Sequence, residues 1–250
     1  MNDKSPEDKD LGLSLIETIG SSDLSDLSQE LTEVALDSLL QEGILKDIPI
    51  IGTIVGVAKT AIHIRDKLLV RKIIDFLREL KITPEERARF LSDIEGDKNF
   101  QRRIGENLLM LLDRLDDLQK PAMIAKLFKA YLQDVINYQE FVSFASVIDR
   151  AFVNDLTGLL NSLTDKRGKG EDYYAERLYH LGLAEIKFDD SLYLQLGQKV
   201  RRARPNPFHK PIQFKFSENA YVLAQILLGK KIHGYDFLET YRSQREFRKG

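Results

Sequence analysis

The stretch "DIPIIGTIVGVAKTAIHIRDK", residues 47–67, constrains this chain more than any other. From Ile48 to Ile64 only Thr53, Lys59, Thr60 and His63 interrupt an apolar run, and charges close in on both sides. The run is either a membrane-inserting segment or a helix at the centre of a soluble bundle. A spanning helix needs about 20 mostly apolar residues. This run is shorter and carries Lys59, whose placement at mid-membrane costs on the order of 3 kcal/mol. Length therefore favours a buried central helix. The alternative is conditional insertion: a soluble fold releases the segment on a trigger, with Lys59 snorkelling or lining a pore after oligomerisation.

Within the run, Pro49 suits a helix's first turn, and Asp47 stands near its positive dipole end. Gly52, Gly56 and Thr60 lie four apart and make a small-residue stripe that another helix can approach in water or in lipid. Ile44, Ile48, Ile51, Val55, Ala58 and Ile62 form an apolar face beside it. The pattern predicts that the helix carries on through "RDKLLVRKIIDFLREL" to "TPEE", where Thr83, Pro84 and Glu86 spell a new helix start.

The flanking sequence places this run inside a mainly helical protein. Residues 1–10 read as a disordered leader, polar and acidic unlike a signal peptide. "LGLSLIETIGSSDLSDLSQELTEVALDSLLQEGILK" breaks into two helices at "GSS". In the second, Leu24, Leu27, Leu31 and Val34 form a stripe prolonged by Ala35 and Leu39, with Ser22 or Asp23 as cap and Gly43 as stop. That amphipathic helix needs a partner surface. Further on, Gly96, Pro121 and the Val135–Tyr138 region divide a run of short helices. One core face is Leu108, Leu111, Leu112 and Leu115; another is Ile124, Leu127, Phe128, Tyr131 and Leu132. An antiparallel bundle or orthogonal array follows.

After about residue 153 the texture changes. "VNDLTGLLNSLTDK" and "EDYYAERLYHLGLAEI" read as helices joined by "RGKG", and β-like pieces "AEIKF" and "PIQFKF" flank the basic loop "RRARPNPFHK". An apolar helix, "NAYVLAQILLG", closes the pattern. This order resembles a winged helix-turn-helix, carried mostly by "ERLYHLGLAEI", while "SLYLQLGQKV" reads as strand or helix. The expected fold is thus mainly α: a multi-helix bundle or array over residues 11–152, then a small winged-helix-like α+β module over residues 153–250.

Chemistry narrows the functional classes. The chain lacks cysteine, which excludes disulfides, thiolate zinc sites and thiol catalysis. His63, His180, His209 and His233 are scattered without ligand spacing, and no P-loop, G-x-S-x-G or G-x-G-x-x-G motif occurs. The carboxylates of "DRLDD" (Asp113, Asp116, Asp117) read as the solvated side of a helix with Arg114 as charged neighbour. "DIEGDKN" lacks the ligand alternation of a calcium loop. No catalytic residue, metal ligand, cofactor or small-molecule substrate is expected, and the chain reads as a non-enzyme.

The net charge of −2 hides an asymmetry: residues 1–47 hold twelve acids against three lysines, and residues 195–250 hold twelve bases against four acids. Opposed ends attract within a molecule or between subunits, or the basic end meets an external polyanion. Lys199, Arg201, Arg202, Arg204, Lys210 and Lys215, with Phe208 and His209 among them, are the polyanion-binding candidates. Glu171, Asp172 and Glu176 put negative charge where a recognition helix makes groove contacts, so a protein contact is as well supported as DNA.

"IPIIGTIVGVAKTAIHIRDKLLVRKIIDFLREL", "ENLLMLLDRLDDLQKPAMIAKLFKAYL" and "FVSFASVIDRAF" together resemble a group of uncharacterised bacterial proteins with a Pro-Ile-x-Gly segment and a Leu-Asp-Arg-Leu-Asp helical region, similar in style to abortive-infection and phage-defence-associated proteins. The resemblance covers the middle two-fifths of the chain and implies a bacterial defence or stress setting, with no catalytic residues carried over. The expectation is a cytoplasmic interaction or effector protein, possible at the inner-membrane periphery. In it the acidic N-terminal helices shield residues 48–64 until a trigger releases them toward a membrane or another subunit. Its partner is a protein or a second copy. The alternative is a nucleic-acid-binding regulator using residues 199–215.

Overall fold

The apolar segment forms a helix that packs chiefly against the helix Leu11–Gly20. In this computed structural model residues 10–21, 48–57, 63–165, 171–188 and 212–247 are described. They divide between two compact units, Met1–Asp149 and Arg150–Gly250. Among the described residues 75% are helical, and the strands form a small two-stranded sheet.

The first unit contains α1 (Leu11–Gly20), α2 (Pro49–Val57), α3 (Ile64–Leu80), α4 (Pro84–Ile94), α5 (Lys98–Arg114), α6 (Lys120–Leu132) and α7 (Tyr138–Arg150, whose last residue opens the second unit). Side chains start these helices by satisfying first-turn N–H groups that have no partner inside the helix. Asp10 accepts from Leu13 N–H at 3.1 Å, and Asp97 accepts from Phe100 N–H at 2.9 Å. At α4 the exchange is reciprocal. Glu86 N–H donates to Thr83 Oγ1 at 3.2 Å, and Thr83 N–H donates to Glu86 Oε2 at 2.8 Å. Asn137 and Glu140 repeat the exchange at α7, at 2.9 and 2.7 Å.

One expectation fails at the opening segment. The helix does not carry on into "RDKLLVRK", because His63 is extended and its N–H donates to the Asp66 carboxylate at 3.2 Å, starting α3 afresh at Ile64. The signal was present as an acid three residues into the new helix, masked by the unbroken apolar pattern.

The core of this unit lies between α3 and α6. Ile73, Phe76, Leu77 and Leu80 meet Ile124, Leu127 and Phe128, all nearly inaccessible. The Phe128 ring is the hub, edge-on to Phe90 at 5.8 Å and to Phe141 at 5.4 Å, geometries the ring quadrupole favours. Leu108, Leu111, Leu112 and Leu115 are buried as their spacing implies.

The second unit runs α8 (Val153–Thr164), α9 (Glu171–Leu178), a 3-10 turn (Tyr179–Leu181), β1 (Ala184–Phe188), β2 (Ile212–Phe216), α10 (Glu218–Leu228) and α11 (Phe237–Phe247). The strands pair antiparallel, Ala184 opposite Phe216 and Phe188 opposite Ile212. Ala184 and Phe216 are buried, while Glu185, Lys187, Gln213 and Lys215 face solvent, the period-two alternation of a half-buried ladder. Gly182, with φ of +75°, makes the sharp exit from the 3-10 turn into β1. Helices α8 and α9 approach closely because Gly158 leaves room for the Tyr174 ring. They are tied by the buried Asp155, which accepts from Arg177 Nε at 2.6 Å. "SLYLQLGQKV" lies outside the described residues.

Candidate functional site

The first part of the apolar run is buried, while Ile64 at its far end is exposed. Ile48, Ile50, Ile51 and Ile54 are between 0 and 9% exposed. Its cover is α1, whose Leu15, Ile16 and Ile19 are themselves at most 3% exposed and which packs on both α2 and α5. Two polar contacts stitch the α1–α2 interface: Ser14 Oγ and Thr53 Oγ1 lie 3.1 Å apart, and the Ile50 N–H donates to Thr18 Oγ1 at 3.2 Å. Two of the three hydroxyls also have a local partner, since Thr18 donates to Ser14 O and Thr53 donates to Pro49 O. None of these three buried hydroxyls is therefore stranded.

Pro49 is the first residue of α2, and Gly52, half-buried, donates its N–H to Ile48 O at 2.8 Å. Gly56 lies within α2; Lys59 and Thr60 fall outside the described residues. The close glycine approach that is described falls elsewhere, where α1 meets α5 at Gly12 and Gly105. The signal in the sequence was a lone glycine inside the strong helical pattern of "RRIGENLLMLL", which costs about 1 kcal/mol against alanine and so marks a packing need.

Beside this core, α3 and α5 flank an open groove of about 710 Å³. Its floor includes Ile64, Leu68 and Met110, which are 79, 46 and 66% exposed. Its rim carries Arg65, Lys72 and Arg114. Arg65 pairs with Asp113, Lys72 donates to the Asp113 carbonyl at 2.8 Å, and Arg114 pairs with Asp149 at 2.8 Å. The Leu-Asp-Arg-Leu-Asp motif is thus a knot of ion pairs joining α3, α5 and α7 rather than a free solvated face.

The same knot holds a buried lysine that its sequence context did not announce. Lys120 is 1% exposed, and its Nζ donates to Asp116 Oδ1 at 2.5 Å and to the Asp149 carbonyl at 2.8 Å. The hydrogen bond from Lys120 holds the Asp116 carboxyl below its ordinary range.

Of the polyanion candidates, Lys199, Arg201, Arg202, Arg204 and Lys210 lie outside the described residues. Lys215 is on β2, exposed and paired across the ladder with Glu185 at 3.1 Å. Among the described residues no helix is long and apolar enough to cross a membrane, and no group of three or more acidic or histidine side chains is placed to hold a metal ion. No protein-family model, curated protein or solved structure matches this chain.

Proposed function

We propose that the chain is a non-enzymatic interaction or effector protein of bacterial antiviral defence, of the abortive-infection type, that keeps the apolar helix α2 covered until a trigger frees it toward a membrane or another subunit. The observation that carries this reading is the cover itself. The most apolar of the described helices is sealed in part by a ten-residue helix, α1, through an interface that includes hydroxyls. Water replaces such hydrogen bonds on separation, so this interface opens at lower cost than one made of hydrocarbon alone. Among the described residues no helix is long and apolar enough to cross a membrane. A freed α2 therefore suits the interfacial zone of a bilayer or the groove of another protein. The defence setting rests on the resemblance of "IPIIGTIVGVAKTAI" and "LLDRLDDLQKP" to abortive-infection-type proteins, and the site of action is the cytoplasm with recruitment to the inner membrane. Flotation with anionic vesicles tests the reading. The native protein stays at the bottom of the gradient, and a variant with α1 loosened at Gly105 rises; a loosened yet still helical variant that stays down opposes it.

A second reading has an observation of its own. The order of α8, α9, β1, β2 and α10 resembles that of a winged helix and supports this reading, with the basic residues 199–210 falling in sequence between the two strands. A nucleic-acid-binding regulator of this kind loses duplex affinity at least tenfold when Arg201, Arg202 and Arg204 are changed to Glu, and its binding falls steeply with salt. Unchanged affinity removes this reading.

A further inference from the structure

The sheet of the second unit pairs one edge of β1 with β2. The Ser217 N–H donates to the Leu183 carbonyl at 3.1 Å, and the register runs on through Ala184 opposite Phe216. In an antiparallel ladder alternate residues turn their N–H and C=O toward the partner strand. The backbone groups of Glu185 and Lys187 therefore face β2, and those of Ala184, Ile186 and Phe188 face the other way. Among the described residues nothing bonds to that outer edge, and α9 packs chiefly on β2. An unpaired strand edge is a template for another strand. The side chains along it carry alternate charges. Glu185 pairs with Lys215 through Oε2 at 3.1 Å, which leaves Oε1 for a second donor. Lys187 is exposed, stands opposite Gln213 and has no acid partner among the described residues. On the other face of the sheet Ile186 and Phe214 are half-buried, with the Tyr179 ring 5.4 Å from that of Phe214.

We propose that β1 pairs antiparallel with β1 of a second copy of this chain about a two-fold axis at Ile186, joining the two sheets into one of four strands in the order β2-β1-β1-β2. The outward backbone groups decide where the axis falls. Hydrogen-bonded pairs form among Ala184, Ile186 and Phe188, so Ile186 stands opposite itself and Ala184 opposite Phe188. An axis at either end of β1 would pair only half of the strand. With the axis at Ile186, Glu185 of each copy faces Lys187 of the other. They meet in a non-hydrogen-bonded pair, where Cα atoms are about 4.5 Å apart and side chains are closest. Symmetry makes the match twice, and the lysine without an acid gains one in both copies. The other edge of the sheet offers no such match, since β2 paired with itself about Phe214 sets Lys215 against Gln213. On the opposite face, Ile186 and Phe214 of one copy continue into those of the other and cover apolar surface that one copy leaves half open. Five residues a side make a small interface, so the association is weak and reversible. It depends on neither the membrane reading nor the nucleic-acid reading.

Analytical ultracentrifugation of the full chain at high micromolar concentration tests the pairing. The native protein forms a reversible dimer. Lys187→Glu and Glu185→Lys each set like charges opposite one another in a homodimer, and each weakens self-association at least tenfold. Mixed in equal amounts, the two variants bring a strand with two acids against a strand with two lysines, and they associate at least tenfold more tightly than either does alone. A native protein that stays monomeric, or a mixture no tighter than its components, overturns the proposal. Cross-linking checks the register without altering a charge. The chain has no cysteine of its own, and residues opposite one another in a hydrogen-bonded pair have Cα atoms about 5.5 Å apart, within disulfide reach. Ile186→Cys therefore gives a covalent dimer on mild oxidation at least tenfold faster than Gln213→Cys. Gln213 is exposed on β2, and its two copies would stand three strand spacings apart, about 14 Å. Equal rates for the two variants overturn the proposal.

Discussion

A Cβ placed on Gly105 of α5 would lie 2.0 Å from the carbonyl oxygen of Gly12 on α1. No side chain fits there without moving backbone. An alanine in an exposed helix interior stabilises by up to about 1 kcal/mol relative to glycine, whereas here the sign reverses. Gly105→Ala destabilises the first unit by about 2 kcal/mol through forced separation of the helices. Urea unfolding of the variant and of the native protein checks the sign.

The buried ammonium of Lys120 gives an asymmetric pair of variants. Asp116 is 69% exposed, yet it is the carboxylate that faces a lysine 1% exposed. Asp116→Ala removes the counter-charge and leaves the ammonium buried with a carbonyl alone, costing about 2 kcal/mol. Lys120→Met removes the charge along with its desolvation cost and destabilises by less. Thermal unfolding of the two single variants, side by side, shows whether the order holds.

Acid sensitivity follows from Glu86. Burial pushes its carboxyl up, but hydrogen bonds from the Gln133 side chain and the Thr83 N–H, with Lys129 and Arg89 nearby, outweigh burial and hold it below its ordinary value. A carboxyl lowered on folding contributes stability that is complete above its unfolded value of about 4.3 and is lost as pH falls through the folded value. Glu86→Gln keeps the capping geometry and removes the titration. Unfolding midpoints followed from pH 6 to pH 3 fall less steeply in this variant than in the native protein.

In the second unit, a Cβ on Gly158 would lie 2.1 Å from the Tyr174 ring. Gly158→Ala therefore destabilises the α8–α9 pair, and Tyr174→Leu in the same chain relieves part of the cost. A double-mutant cycle in denaturant shows this coupling as a non-additive term.

The helices were legible in the sequence wherever a local device writes them. Thr83-Pro84-Glu86 states its reciprocal cap in four residues, Gly96 marks the turn before α5, and the alternation of "AEIKF" and "IQFKF" yields a ladder. What stayed hidden depends on partners far along the chain. His63 reads as one polar residue in an apolar run, and its role as the start of α3 shows only once Asp66 turns back to its N–H. The burial of Lys120 depends on the Asp149 carbonyl 29 residues away. Gly12 and Gly105 become a single feature only when α1 crosses α5. The groove is also tertiary, since Leu68 and Met110 each look like core residues within their own helix.

The central claim is that α1 is the cover of the apolar helix and that its release exposes membrane-seeking surface. Ser14 and Thr53, whose hydroxyl oxygens are 3.1 Å apart, stand within reach of a disulfide when both are cysteine. Placed in a Gly105→Ala background, that pair makes the cover switchable by redox state in one protein. Flotation with anionic vesicles is the measurement. The reduced protein is expected to rise with the vesicles and the oxidised protein to stay down. Equal behaviour in the two states, whether both float or neither does, contradicts it.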